Sequence, residues 1–245
     1  MLKEKIKKRI NHIIKKTVPS KIFRIVKGDM LEFASLSYSQ EGEDMILARI
    51  FGNKNNGFYV DIGAHHPERF SNTKHFYDKG WSGINIDALP GSMGIFNKRR
   101  PRDINLEIAI SDNEEVLKFY SFNEPALNTF SYDLAVEYSK ISPYKIIDEI
   151  NLNTYSLGTI LDKFLPAGQP IDFISIDVEG LDLNVLISNN WERYNSQFVL
   201  IEFLDFEIQK FLNSELNSFM KNKNYGFYAK TMNTVFFKFN PECVE

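Results

Sequence analysis

Four carboxylates in this chain each follow a short apolar run. Asp61 comes after Phe58, Tyr59 and Val60; Asp87 after Ile84, Asn85 and Ile86; Asp177 closes the run from Ile171; Glu202 closes the run from Phe198. Runs of this kind suit buried parallel strands, and ligands of open α/β sheets gather at the carboxyl ends of such strands. An uncompensated buried carboxylate is costly, so a set of them at strand ends points to partners. Gly63, His65, His66 and Glu179 stand beside them in the adjoining loops.

The first two acids point to a nucleoside. Gly63 lets the backbone turn sharply and a ligand approach closely, and an acid roughly 20 residues beyond such a turn is placed to take a ribose hydroxyl pair. Asp87 is that acid, and Asp61 is expected near the amino-acid part of the ligand. The dinucleotide fingerprint is absent: counting from Gly63, glycines belong at 65 and 68, where the chain has His65 and Glu68. That argues against a pyrophosphate, hence against NAD or FAD. A ligand with adenosine and no pyrophosphate fits, and S-adenosylmethionine is the obvious one. The plainer alternative is that such acids only cap the next helix.

The remaining acids suit activation of an acceptor. An alcohol is a poor nucleophile at neutral pH and needs a base or a metal. Asp177, Glu179 and Glu202 could hold a Mg²⁺-type ion through oxygen. His65 or His66 could instead act as the base, or simply shape the turn before Pro67. No zinc site is spaced for: the other histidines are His12 and His75, and Cys243 is the single cysteine.

The elements that must position these residues alternate. Helices are expected after Gln40, over 72–79, 90–98, 159–165, 181–189 and 207–220. Strands are expected over 58–61, with Asp61 at the tip, 83–87, 104–110, 171–177 and 198–203, with 116–122 folding back on 104–110 as a hairpin and a short strand over 150–155. Residues 123–146 show no firm pattern and read as a substrate loop. Two alternating runs, 225–230 and 234–239, form a terminal antiparallel hairpin. Strands alternating with helices indicate a doubly wound, mostly parallel sheet.

With 245 residues, 43% of them hydrophobic, the chain can bury one sizeable core. Residues 1–27 carry ten Lys and Arg against Glu4 alone, net +9, which leaves -12 on the remainder of a chain of net charge -3. An acidic body argues against a nucleic-acid partner. Leu2, Ile6, Ile10, Ile13 and Ile14 recur at helical spacing among the basic residues. This basic amphipathic helix either lies on an anionic membrane surface or packs its isoleucines on the domain or a second subunit. The expected division is a helical extension over 1–36 and a catalytic domain over 37–245. No run reaches the ~20 apolar residues of a membrane span, the N-terminal run lacks a signal-peptide core, and the single cysteine fits a reducing compartment. The expectation is a cytoplasmic protein, or one peripheral at the inner membrane face.

Several segments together resemble the FkbM-type S-adenosylmethionine-dependent methyltransferases. They are Tyr38-Ser-Gln-Glu-Gly-Glu-Asp44, Val60-Asp-Ile-Gly-Ala-His-His-Pro67, Phe70-Ser-Asn-Thr73, Gly80-Trp-Ser-Gly-Ile-Asn-Ile-Asp87, Ala109-Ile-Ser111 and Ile171-Asp-Phe-Ile-Ser-Ile-Asp-Val-Glu-Gly180. The resemblance covers roughly residues 37–240. It implies a class I methyltransferase (Rossmann-like) fold, a seven-stranded sheet with a reversed last strand, and methyl transfer to an oxygen of a sugar, glycan or secondary metabolite. By position it implies cosubstrate contacts from Gln40, Asp61, Gly63, Ala64, His65, Asn72, Asp87, Ala88, Ile110, Ser111 and Asp177. Asp177 and Glu179 match the family's Asp-x-Glu-Gly segment beside the reacting centre. The sequence departs from the general methyltransferase turn at His65 and Pro67, where a small residue and a glycine are usual. Two other readings stand beside it: a catalytically silent Rossmann-like scaffold, against which the intact glycine and acids argue, and an NAD-dependent oxidoreductase, disfavoured by the missing glycines.

Overall fold

The computed structural model describes residues 34–241. The chain divides into two units, Met1–Ser37 and Tyr38–Glu245. The expected basic helix and Cys243 lie outside the described residues.

The second unit alternates helices and strands. In chain order these are α1 (Glu43–Phe51), β1 (Phe58–Ile62), α2 (Lys74–Asp78), β2 (Ser82–Asp87), α3 (Met93–Arg99), β3 (Ile104–Glu107), β4 (Ala109–Ile110) and β5 (Val116–Phe122). A single 3₁₀ turn, Pro125–Leu127, leads to α4 (Tyr132–Ser139), β6 (Ile146–Tyr155), α5 (Leu157–Phe164) and β7 (Ile171–Ile176). The chain closes with α6 (Asp182–Ile187), β8 (Ser196–Glu202), α7 (Ile208–Leu212), α8 (Glu215–Asn222), β9 (Tyr225–Lys230) and β10 (Thr234–Phe239).

Seven strands form one sheet in the order β3-β2-β1-β7-β8-β10-β9. β1 pairs in parallel with β2 on one side and β7 on the other, while β10 runs antiparallel to β8 and β9. This is the Rossmann-like α/β sheet with an antiparallel terminal hairpin that the sequence implies. The strand order reverses between β1 and β7, which is where such sheets bind ligands. Both faces are buried. Val60, Ile62, Ile84, Ile86, Ile174 and Ile176 pack on one side against α5 and α6 residues such as Ile160 and Val185. Tyr59, Phe173 and Leu200 pack on the other against Leu47 of α1, Phe76 of α2 and Trp81. The period of two along each strand divides these residues between the faces.

Four elements differ from the sequence reading. The run over 104–110 is two strands: the Ile108 N–H donates to the Asp87 carbonyl at 3.0 Å as the last rung between β2 and β3, and Ala109 and Ile110 then pair with Thr154 and Tyr155 of β6. β3 stays in the main sheet, whereas β4 starts a separate three-stranded sheet in the order β4-β6-β5. The partner of β5 is β6, ten residues long, and not the 104–110 run. Residues 123–146 are structured: Ser131 caps α4 by accepting the Leu134 N–H at 3.3 Å. The expected 207–220 helix is broken at Asn213 and Ser214, where the Ser214 hydroxyl accepts the Asn217 N–H at 3.1 Å and starts α8. Among the described residues no helix is long and apolar enough to cross a membrane.

Candidate active site

The turn after β1 is built by backbone bonds. The Gly63 and Ala64 N–H groups donate to the Ile86 carbonyl at 2.9 and 3.0 Å, and the Asp177 N–H donates to the Ile62 carbonyl at 3.0 Å. Gly63 has φ +80, and a Cβ there would fall 1.6 Å from the Asp177 carbonyl oxygen. Only glycine allows this turn to lie directly against the end of β7. His65 follows at φ 51. Asp87, at the tip of β2, accepts the His65 N–H on one oxygen and the Leu89 N–H on the other, each at 2.8 Å. Burial pushes its carboxyl up, and these two bonds oppose the rise.

Above these strand ends lies a cavity of about 780 Å³, counted out into open solvent. Its polar edge carries Gln40, Asp87, Asn128, Asp177 and Glu179; its apolar wall comes from Ile86, Ile108, Ile110, Phe119 and Phe130. Phe119 and Phe130 meet with ring centroids 4.9 Å apart and planes tilted by 53°. Gln40 is fixed by its neighbours: Asp44 accepts the Tyr38 N–H and the Ser39 hydroxyl, both at 2.8 Å, and Glu41 accepts the Asn233 N–H at 2.8 Å.

Carboxylates crowd one lip. Oxygens of Asp177, Glu179 and Glu202 all lie within 4.8 Å of one another. Asp177 keeps an exposed side chain, yet protein packed around it, then the charges of Glu202 and Glu179, push its carboxyl well above the ordinary range. Burial raises Glu179 to about 7, against a hydrogen bond from Tyr138. Glu202 is pushed up to about 8 by burial and by Glu179, Asp182 and Glu41. Asp182 is raised to about 6 by burial while it accepts the Val178 and Gly180 N–H groups at 3.2 Å each. Such clustering of shifted acids in a cleft marks a functional site.

Of the residues singled out in the sequence, Gln40, Gly63, His65, Asp87, Ala88, Ile110, Asp177 and Glu179 line the cavity. Asp61, Ala64, His66, Asn72, Ser111 and Glu202 do not. Asp61 lies inside β1, one residue before its end, and is buried. It accepts the Thr73 hydroxyl at 3.0 Å, and burial raises its carboxyl to about 6 against the pull of Arg100. Arg100 itself is 1% exposed and donates to Thr73 Oγ1 at 2.6 Å, Ser71 Oγ at 2.7 Å and the Pro67 carbonyl at 3.0 Å. It thereby ties the 65–73 loop to the sheet. Asn72 donates to Ser175 Oγ at 3.0 Å, Ser111 donates to Asp112 at 3.1 Å, and Ala64 packs on Met93 and Phe96. His66 Nδ1 accepts the Glu68 and Arg69 N–H groups at 3.1 and 3.0 Å, so it shapes the turn. His65 Nε2 is buried without a hydrogen-bond partner, and burial lowers the ring's pKa.

Residues 61–227 match the methyltransferase FkbM domain. The chain belongs to the FkbM methyltransferase family. A solved structure, the FkbM methyltransferase from Methylobacillus flagellatus KT, is similar at TM-score 0.45 and 12% identity, covering 75% of this chain and 44% of that one. The chain thus spans less than half the length of that protein. No curated protein matches.

FkbM membership implies S-adenosylmethionine as methyl donor, and the cavity fits it. Each Asp87 oxygen spends one lone pair on a backbone N–H and has another free for a ribose hydroxyl. The apolar wall suits an adenine face, and the volume is that of a small-molecule site. Phe119, Asn128, Phe130 and Tyr138 of this FkbM domain were not singled out in the sequence. Phe119 faces the cavity by alternation along β5; Asn128 and Phe130 lie in the loop before α4 and Tyr138 on α4, where no periodic pattern marks them.

Proposed function

We propose that this protein transfers the methyl group of S-adenosylmethionine to a hydroxyl oxygen, with a sugar of a surface glycan or its precursor as acceptor. A small hydroxyl-bearing metabolite is the alternative acceptor. The observation that carries the reading is the lip of carboxylates, Asp177 and Glu179, beside the Gly63 turn in a cavity floored by Asp87.

The sulfonium supplies an activated methyl group, so the protein's work is alignment and exclusion of water. Asp87 holds the ribose diol and the Ile86–Phe119–Phe130 wall holds the base. Glu179, raised to about 7, is poised to accept the proton of an acceptor hydroxyl near neutral pH. Asp177 lies beside it, with a carboxyl that burial and the charges of Glu202 and Glu179 push well above the ordinary range. His65, neutral through burial, is the second candidate base. Oxygen ligation of a divalent cation such as Mg²⁺ by Asp177 and Glu202 is a further reading, favoured by donor oxygens within 4.8 Å.

Residues 37–245 are read as the catalytic domain and 1–36 as an extension that meets an anionic membrane or a second subunit through residues 1–27. Such a protein would work in the cytoplasm at the inner membrane face. Vesicles containing anionic lipid should pellet the full chain and not one lacking residues 1–27; equal pelleting removes the membrane contact.

Calorimetric titration with S-adenosylhomocysteine, with and without EDTA, tests the main reading. Binding in the micromolar range, about -8 kcal/mol, supports it. No binding in either condition favours a silent scaffold, and binding lost only in EDTA favours the cation.

A further inference from the structure

Glu179 holds a backbone conformation that its residue type rarely adopts, with φ 51. A non-glycine residue there costs on the order of 1–3 kcal/mol and persists only where its surroundings impose it. Both impositions come from one segment. Thr129 Oγ1 donates to the Glu179 carbonyl at 2.6 Å. The Ser131 N–H donates to the same hydroxyl at 2.9 Å, which leaves the hydroxyl proton for Glu179. About two turns further on, near the end of α4, Tyr138 Oη donates to Glu179 Oε2 at 2.8 Å. Between the two bonds the segment fits the adjoining glycine closely: a Cβ on Gly180 would come within 2.8 Å of Leu134 Cδ1.

The ionisable groups closest to the Glu179 carboxylate act against its position. Asp177 and Glu202 put oxygens within 4.8 Å of it, and Asp182 adds a third negative charge. Repulsion turns such a group outward into water unless a donor holds it. Thr129 is fully buried and Tyr138 half-buried, so neither bond is a casual surface contact.

We propose that Tyr138 and Thr129 are positioning residues, which hold Glu179 at the lip of the cavity facing Asp177 and so set how strongly the site favours positive charge where the methyl group is transferred. This rests on the cosubstrate reading given above and names residues that act through Glu179.

The test needs no acceptor. S-adenosylhomocysteine is neutral at sulfur, while sinefungin carries an ammonium-bearing carbon in place of the methylated sulfonium. The ratio of their dissociation constants therefore reads the local charge, and general loosening of the fold leaves it unmoved. In Tyr138→Phe, S-adenosylhomocysteine affinity is expected to stay within about twofold and the preference for sinefungin to fall about threefold or more. In a Glu179→Gln background, Tyr138→Phe should not change the ratio further. An unmoved ratio, or the same fall in the Glu179→Gln background, overturns the proposal. If Tyr138→Phe does not fold, Thr129→Val gives the same readout through the carbonyl bond. Absence of S-adenosylhomocysteine binding by the wild-type protein overturns the cosubstrate reading and this proposal together. Intact binding with an unmoved ratio overturns the positioning alone.

Discussion

Asp87 accepts the backbone N–H of His65 at 2.8 Å, so the acid that ends the second strand fixes the turn that follows the first. The carboxylate shapes the wall of the cavity it also lines. Replacing Asp87 by Ala should weaken S-adenosylhomocysteine binding by about tenfold to a hundredfold, or 1.4–2.7 kcal/mol. Calorimetry on the folded variant measures this, and unchanged affinity would remove the ribose assignment.

Asp177 stands at the lip of the same cavity. Asp177→Asn keeps its shape and removes its ionisable proton. Once an acceptor is in hand, turnover should fall by about a hundredfold or more, with S-adenosylhomocysteine affinity kept within about tenfold. A variant that loses binding instead would move Asp177 into the cosubstrate site.

Gly63 and Gly91 both have positive φ, +80 and +85, but only the former faces backbone. Gly91→Ala has open space around it and should cost about 1–2 kcal/mol of stability. Gly63→Ala must push apart the ends of β1 and β7, and ligand binding should be lost. Equal behaviour of the two variants in melting and binding would contradict the close approach.

The raised acids give stability an unusual slope. Between its ordinary value of 4.5 and about 8, Glu202 keeps a proton in the folded state that the unfolded chain has released. Stability from this group is therefore present at low pH and lost as pH rises through about 8. Glu179, raised to about 7, adds to the same trend. Glu202→Gln should raise the melting temperature at pH 8.5 and flatten its fall between pH 5 and pH 8.5, values set roughly by that window. A wild-type curve that climbs throughout this range would refute the assignment.

Arg100 is the buried cation among Asp61, Asp103 and the 65–73 loop, 4.0 Å from Asp103 Oδ2. Arg100→Met leaves those acids without it. The expected loss is about 3–5 kcal/mol, a fall of roughly 10 °C in melting temperature. A fall smaller than about 2 °C would show that the acids are neutral in the native protein.

The main sheet was legible because β1, β2 and β7 are mostly apolar runs, and runs of that kind suit strands buried on both faces. Asp87, Asp177 and Gly63 were legible for the same reason, since each punctuates a run. Asp61 shows the limit. β1 continues to Ile62, and the period of two turns Asp61 to the face away from Ile62, toward Thr73. Whether an acid is the last residue of a strand or the last but one decides where it points, and local sequence does not resolve that step. The second sheet was not legible, because its division from β3 depends on Ala109 and Ile110 pairing with Thr154 and Tyr155, some 45 residues on in the chain, which no local pattern announces. Helix α4 buries only Ala135 completely and shows no apolar stripe, so Tyr138 had no periodic signal to place it.

The three-stranded sheet has a consequence for time as well as shape. Phe119, on β5, is part of the cavity wall, and the shortest strand of its sheet is the two-residue β4. β5 can part from the ligand without disturbing the ladders of β1 and β7. Amide protons of Val116–Phe122 will therefore exchange with solvent through small local openings, while those of the central strands await global unfolding. The residence time of the proposed nucleoside is then expected to follow how often this small sheet opens, and substitutions far from the carboxylates to change it.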